Sequence, residues 1–149
     1  DTKPLINVAT HIEDDYVSEE DLKIEIHRLI NTIDSKKKLD QVRIELEDRF
    51  GKINEDMLIY MHEEWFEKMA RKNFRQTKNS MELSFSKEVV EHLDMEQLFM
   101  DACQISMMFR FKTLGEVLVI VLDTIKLEEH PIYYLCRLLE RIDSHLTKK

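Results

Sequence analysis

LDQVRIELEDRFG, residues 39–51, reads as one amphipathic helix that stops at a glycine. At about 100° per residue, Leu39, Val42, Leu46 and Phe50 fall on one stripe, the face that turns to a core. Gln41, Glu45 and Asp48 lie well round from that stripe, and Arg49 stands at its edge beside Glu45. Gly51 sits just past the helix, where a left-handed backbone is wanted, and Lys52 follows it. Ile44 points away from the stripe. Two readings of it stay open: burial under a neighbouring element, or an apolar spot inside a charged contact patch.

The flanking sequence continues in the same style. Ser18 precedes Glu19, Glu20 and Asp21, a pattern that resembles an N-cap with acids at the positive end of a helix dipole. Leu22, Ile26, Leu29 and Ile33 form the stripe of a first helix, and Ile24 points away from it. Ser35 is placed to cap the second helix. Asn54, followed by Glu55 and Asp56, is placed to cap a third. On that helix Leu58, Met61, Trp65 and Met69 make one stripe, and Ile59, Phe66 and Ala70 make another about 100° away, so it is expected to pack on two sides. Ahead of the helices, PLINVAT (4–10) can form a short strand and EDDY (13–16) a turn.

Beyond residue 73 the period changes. Met81, Leu83 and Phe85 alternate with Glu82 and Ser84, the pattern of a half-buried strand. Ser86 and Asp94 are two more cap candidates, and helix is expected as far as about Ile105. Phe109 and Phe111 alternate with Arg110 and Lys112. TLGE (113–116) then turns the chain into VLVIVL (117–122), apolar on both faces as a central strand is. Pro131 suits the first position of a last helix with the stripe Leu135, Leu138, Leu139 and Ile142. The expected class is α+β: an N-terminal three-helix segment packed with a small mixed or antiparallel sheet and further helices. One domain is expected over 1–149, helical over about 18–73 and mixed over about 74–146.

Composition bounds what such a domain does. A chain of 149 residues buries on the order of 18,000 Å² on folding, about 70% of its unfolded surface, enough for a core without disulfides or metal. The net charge is −8. Residues 1–73 carry 12 basic and 18 acidic side chains, and residues 74–149 carry 10 and 12. This acidic balance disfavours general binding to phosphate backbones and favours a basic protein partner. Cys103 and Cys136 belong to no motif and point to a reducing, cytoplasmic setting with buried thiols. The longest apolar run, 117–122, is too short to span a bilayer. The chain starts at Asp1, so it is expected to be an excised piece of something longer or a processed product.

Motifs of chemistry are missing. None of the six histidines has another at i+3 or i+4, and HEE at 62–64 lacks the second histidine of a zinc-protease helix, because position 66 is Phe. Two glycines cannot build a phosphate-cradling loop. The eight methionines read as core filler before they read as a pliable groove. Lys36–Lys38 form a solvated first turn, though three cations there oppose the helix dipole. No catalytic, metal or cofactor site is expected, although 30 acidic residues leave room for an unrecognised carboxylate pair of a hydrolase.

The run IELEDRFG (44–51), preceded by a two-helix segment and by DDYV (14–17), resembles the C-terminal domain of the bacterial transcription-repair coupling factor (Mfd), which carries E-L-x-D-R-F-G. The resemblance covers almost the whole chain; in the second half it is one of pattern. Glu13 stands where that family has proline and His27 where it has an aromatic. The resemblance implies a regulatory domain of an ATP-driven DNA translocase, with ATP and magnesium held only in motor domains elsewhere. It implies packing on the UvrB-like N-terminal module of the same chain, masking the UvrA-binding surface until RNA polymerase is engaged, with DNA contacted through other domains. Carried over residue by residue, the contact falls on Glu45, Asp48 and Arg49; the helix face adds Gln41 and Ile44. The alternative is an accessory nucleic-acid-contacting domain using Lys36–Lys38.

Overall fold

Helix caps and apolar stripes build the first part of the chain in the computed structural model, which describes residues 12, 15–70 and 73–147. The expected strand at 4–10 and the start of the acidic turn lie outside the described residues. Helix α1 spans Glu20–Ile30, α2 Lys36–Phe50 and α3 Glu55–Ala70. Glu19, not Ser18, occupies the cap position of α1, and it makes no capping side-chain bond. Glu20 and Asp21 instead place their charges against the unpaired N–H groups of the first turn. The expected caps of the other two helices form: Ser35 Oγ accepts from the Lys38 amide at 3.1 Å, and Asn54 Oδ1 from the Met57 amide at 2.8 Å.

Ile26, Ile30 and Ile33 are fully buried, Ile33 lying just past the end of α1, while Leu22 and Leu29 are only half-buried. On α2, Leu39, Val42 and Leu46 are buried. Phe50 is not; the stripe ends one turn early and its ring stays half-exposed. Buried residues occur all round α3, from Met57, Ile59, Tyr60 and Met61 to Trp65, Phe66 and Ala70, whereas Leu58 is half-buried and Met69 exposed. Lys68 on α3 donates to the carbonyls of Asn31 and Ile33, supplying a cation where α1 runs out of N–H partners. His27 keeps an aromatic-type contact, its ring 5.5 Å from that of Tyr60 and its Nδ1 2.8 Å from the Tyr60 hydroxyl.

The chain divides into two units, Asp1–Met69 and Ala70–Lys149, close to the point where the residue pattern changes period. In the second, β1 (Phe74–Gln76), β2 (Ser80–Phe85), β3 (Phe109–Leu114) and β4 (Val117–Asp123) form one antiparallel sheet of order β1-β2-β4-β3. The strand that is apolar on both faces, β4, is indeed internal. Met81, Leu83 and Phe85 share the core face with their cross-strand partners Leu122, Ile120 and Leu118. The β3–β4 hairpin closes on Gly115 and Glu116, with Gly115 at φ 65° in the first central position, as a two-residue type II′ turn requires.

The two cap candidates mark two separate helices, α4 (Lys87–Val90) and α5 (Met95–Ile105). Asp94 Oδ1 accepts from the Gln97 amide at 3.1 Å, whereas Ser86 makes no capping side-chain bond. The last helix, α6 (Pro131–Thr147), starts at its proline, and His130 Nδ1 accepts from the Ile132 amide at 3.1 Å. Its stripe Leu135, Leu138, Leu139 and Ile142 is buried. Asp101 on α5, 4% exposed, joins the two helices. Its Oδ1 accepts from Gln97 Nε2 and Arg141 Nη1, both at 3.0 Å, and its Oδ2 lies 3.1 Å from His145 Nε2. Burial alone would raise this carboxyl. The hydrogen bonds from Gln97 and His145 and the charge of Arg141 outweigh that and hold it below the usual aspartate range.

Candidate protein interface

Helix α2 is fixed on one side by its core stripe and at both ends by specific bonds, so its outer face has a defined orientation. The Ser35 cap sets the start. The Gly51 backbone sets the end, at φ 98° and ψ 178°. This is the positive-φ extended region open essentially to glycine alone, not the left-handed helical conformation that a C-terminal glycine was expected to adopt. Tyr16 ties the preceding segment to this end: its hydroxyl donates to the Gly51 carbonyl at 2.8 Å and lies 3.2 Å from that of Leu46. Its ring meets the Phe50 ring edge-on at 6.3 Å. Burial, then the Glu47 charge, pushes the Tyr16 phenol above its ordinary value.

Away from the core stripe, Gln41, Ile44, Glu45 and Asp48 share an arc of roughly 100° at the helical repeat, and Arg49 at the edge of the stripe extends it to roughly 140°. All five are exposed. Ile44, at 69%, is among the most exposed apolar side chains described, so among the described residues no neighbouring element buries it. Ile24 on α1 is exposed too, at 48%. Glu45 and Asp48 project beside Ile44 with no covering element among the described residues of this unit.

Arg49 differs from the other four. Its Nη1 lies 2.6 Å from Glu25 Oε2 on α1 and 3.4 Å from Glu45 Oε2 one turn back, and its guanidinium sits 4.8 Å over the Phe50 ring. The hydrogen bond to Glu25 is the main reason that the arginine is held even more firmly charged and that Glu25 is held below the ordinary glutamate range. Glu25 was absent from the residues read off α2. Pairing of α1 with α2 brings it there, and no spacing within one helix signals it. Around Arg49 the face carries three carboxylates, Glu25, Glu45 and Asp48, against one guanidinium; exposed Lys37 lies on the same arc nearer the N-terminus, and Ile44 forms an apolar spot at the side of the arc away from Arg49.

In the basic run, Lys36 Nζ is held by Asp40 at 2.9 Å, an i,i+4 pair that offsets the awkward cation in the first turn; Lys37 is exposed and Lys38 is half-buried. Cys136 is buried, and burial, then Glu140, pushes its thiol well up; Cys103 is only half-buried, and the two form no disulfide. His62 Nδ1 lies 2.8 Å from the Leu58 carbonyl one turn back on α3. Among the described residues no cluster of three or more His, Cys, Asp or Glu is arranged to hold a metal ion, and no helix is long and apolar enough to cross a membrane.

Comparison with known proteins shows the family and the fold of the chain. The TRCF domain family matches residues 6–98. A solved structure described as the crystal structure of the C-terminal domain of transcription-repair coupling factor superposes with a TM-score of 0.65 at 20% identity, covering 95% of this chain and 88% of that one. No curated protein sequence matches the chain. The chain therefore belongs to the TRCF domain family and has the α+β fold of a transcription-repair coupling factor C-terminal domain.

Proposed function

We propose that this domain is a non-catalytic, autoinhibitory clamp of a larger translocase. The outer face of α2, built from Gln41, Ile44, Glu45, Asp48 and Arg49, packs on the UvrB-like N-terminal module of the same chain. In the closed state it masks the UvrA-binding surface, and engagement of RNA polymerase releases it. The observation that carries this reading is the exposed isoleucine beside the Glu45 and Asp48 carboxylates, on the very stretch that carries the family motif.

The energetics suit a switch. An acidic rim facing basic residues gives register and specificity more than raw affinity. Linkage within one chain replaces bulk concentration by an effective concentration on the order of mM, so a contact of modest strength keeps the domain closed. A motor that strains the chain can then open it, which a very tight interface would prevent. Reversing charge by Asp48→Lys in the full-length translocase is expected to raise its affinity for UvrA. Unchanged UvrA affinity, with the variant folded, would count against the proposal.

A further inference from the structure

β3 is an edge strand. Its ladder with β4 has a register in which residue numbers pair Phe109 with Leu122 and Leu114 with Val117. The Asp123 amide donates to the Met108 carbonyl at 3.0 Å. In an antiparallel pair the bonded positions recur every second residue. Arg110, Lys112 and Leu114 therefore spend their backbone N–H and C=O groups on β4. The backbone groups of Phe111 and Thr113 point the other way, and among the described residues no strand pairs with that side of β3.

The side chains along this edge are sorted by face. Phe111 lies on the core face, half-buried, with the ring of Phe99 from α5 edge-on at 5.4 Å. Phe99 is itself 52% exposed, an apolar surface beside the open edge. On the opposite face Arg110 and Lys112 are exposed, and neither forms an ion pair among the described residues.

We infer that the β3 edge docks an extended peptide segment of acidic–apolar–acidic pattern from a protein partner, added as a fifth strand. The residue that exchanges backbone bonds with Phe111 sets its apolar side chain against Phe111 and Phe99. Its two neighbours fall on the other face, opposite Arg110 and Lys112, and there the two uncompensated cations select carboxylates. Backbone bonds supply affinity and the alternation supplies specificity, as in other strand-addition complexes. A second copy of this chain is the poorer occupant. Antiparallel self-pairing centred on Phe111 sets Arg110 directly against Lys112 of the other copy, like charge on like charge. The same cations that keep copies apart thus admit an acidic strand.

The test uses the 149-residue chain and a blocked ten-residue peptide alternating Glu and Val, with a Lys–Val peptide as control. Binding of the Glu–Val peptide is expected, with hydrogen exchange slowed at the Phe111 and Thr113 amides and unchanged at Arg110 and Lys112. Arg110→Glu combined with Lys112→Glu should weaken it at least tenfold. The inference is overturned by absent binding at millimolar peptide, by equal binding of the Lys–Val peptide, or by slowed exchange elsewhere than at Phe111 and Thr113. It is overturned equally if those two amides are protected without peptide in a way that grows with protein concentration, the mark of self-pairing.

Discussion

Replacing Ile44 by Asp separates an interface role from a structural one. Ile44 is 69% exposed. Full burial of an isoleucine side chain is worth about 1.5–3 kcal/mol, so the exposed portion offers a partner about 1–2 kcal/mol. The new carboxylate, one turn from Asp48, adds a desolvation cost, which makes that figure a lower bound. An energy of about 1–2 kcal/mol changes the ratio of closed to open molecules by about 5- to 30-fold. In a translocase that is mostly closed, the apparent UvrA Kd should tighten by that factor. In the isolated chain, urea unfolding should move by no more than about 0.5 kcal/mol, as for other surface substitutions. Calorimetric titration with UvrA and urea melts of the same variant read the two numbers. A stability loss above about 1 kcal/mol would mean that Ile44 packs inside the domain. Normal stability with unaltered UvrA affinity would mean that its exposed surface touches nothing. Either result refutes the reasoning.

Three further substitutions probe the two units separately, one in the second unit and two on and beside α2. Asp101→Asn should cost about 2 kcal/mol at pH 7, because hydrogen bonds to a charged group are worth about 1.5–3 kcal/mol each and half-exposed Arg141 recovers part of the loss in water. The folded carboxyl lies below its ordinary value, so its contribution is complete above the unfolded pKa of about 3.9 and lost as pH falls through the folded one; urea melts at pH 7 and pH 3 should show the gap between wild type and variant closing. Gly51→Ala should lower stability by about 1–3 kcal/mol through backbone strain alone, since the added Cβ meets nothing within 4 Å; an unchanged melting temperature would contradict the geometry assigned to that residue. Leu46→Ala, at a fully buried site, should cost about 2–5 kcal/mol in urea unfolding, and a loss below about 1 kcal/mol would contradict its place in the core.

Period carried most of the fold. Leu39, Val42 and Leu46 on α2 and the alternation of Met81, Leu83 and Phe85 each report a period that one element type satisfies, and the doubly apolar run at 117–122 reads as a strand through its shortness and the turn at 113–116 ahead of it. Caps were legible where a short polar side chain had a free amide within reach, as at Ser35, Asn54 and Asp94. At Ser18 the acidic residues that follow were enough to start the helix without it. Strand β1 left no signal: three residues, Phe-Arg-Gln, are too few for a period, and pairing with β2 makes them a strand. Phe50 carried the right spacing for the core yet stays half-exposed, because the chain leaves the helix there and Arg49 lies over its ring. The five α2 residues were readable as one face from a single helix. Glu25, which holds Arg49, was not, because a partner on a second helix is fixed by packing and not by spacing.

Direct association of this chain with the isolated UvrB-like module puts the clamp itself on trial. Calorimetric titration at low and high salt is expected to show modest binding that weakens with salt and is abolished by Glu45→Lys with Asp48→Lys. Restoration by opposite charge reversals on the module would fix the register. Binding that ignores both salt and these reversals, or no binding at millimolar concentrations with both partners folded, would contradict an account in which the outer face of α2 holds the larger machine closed.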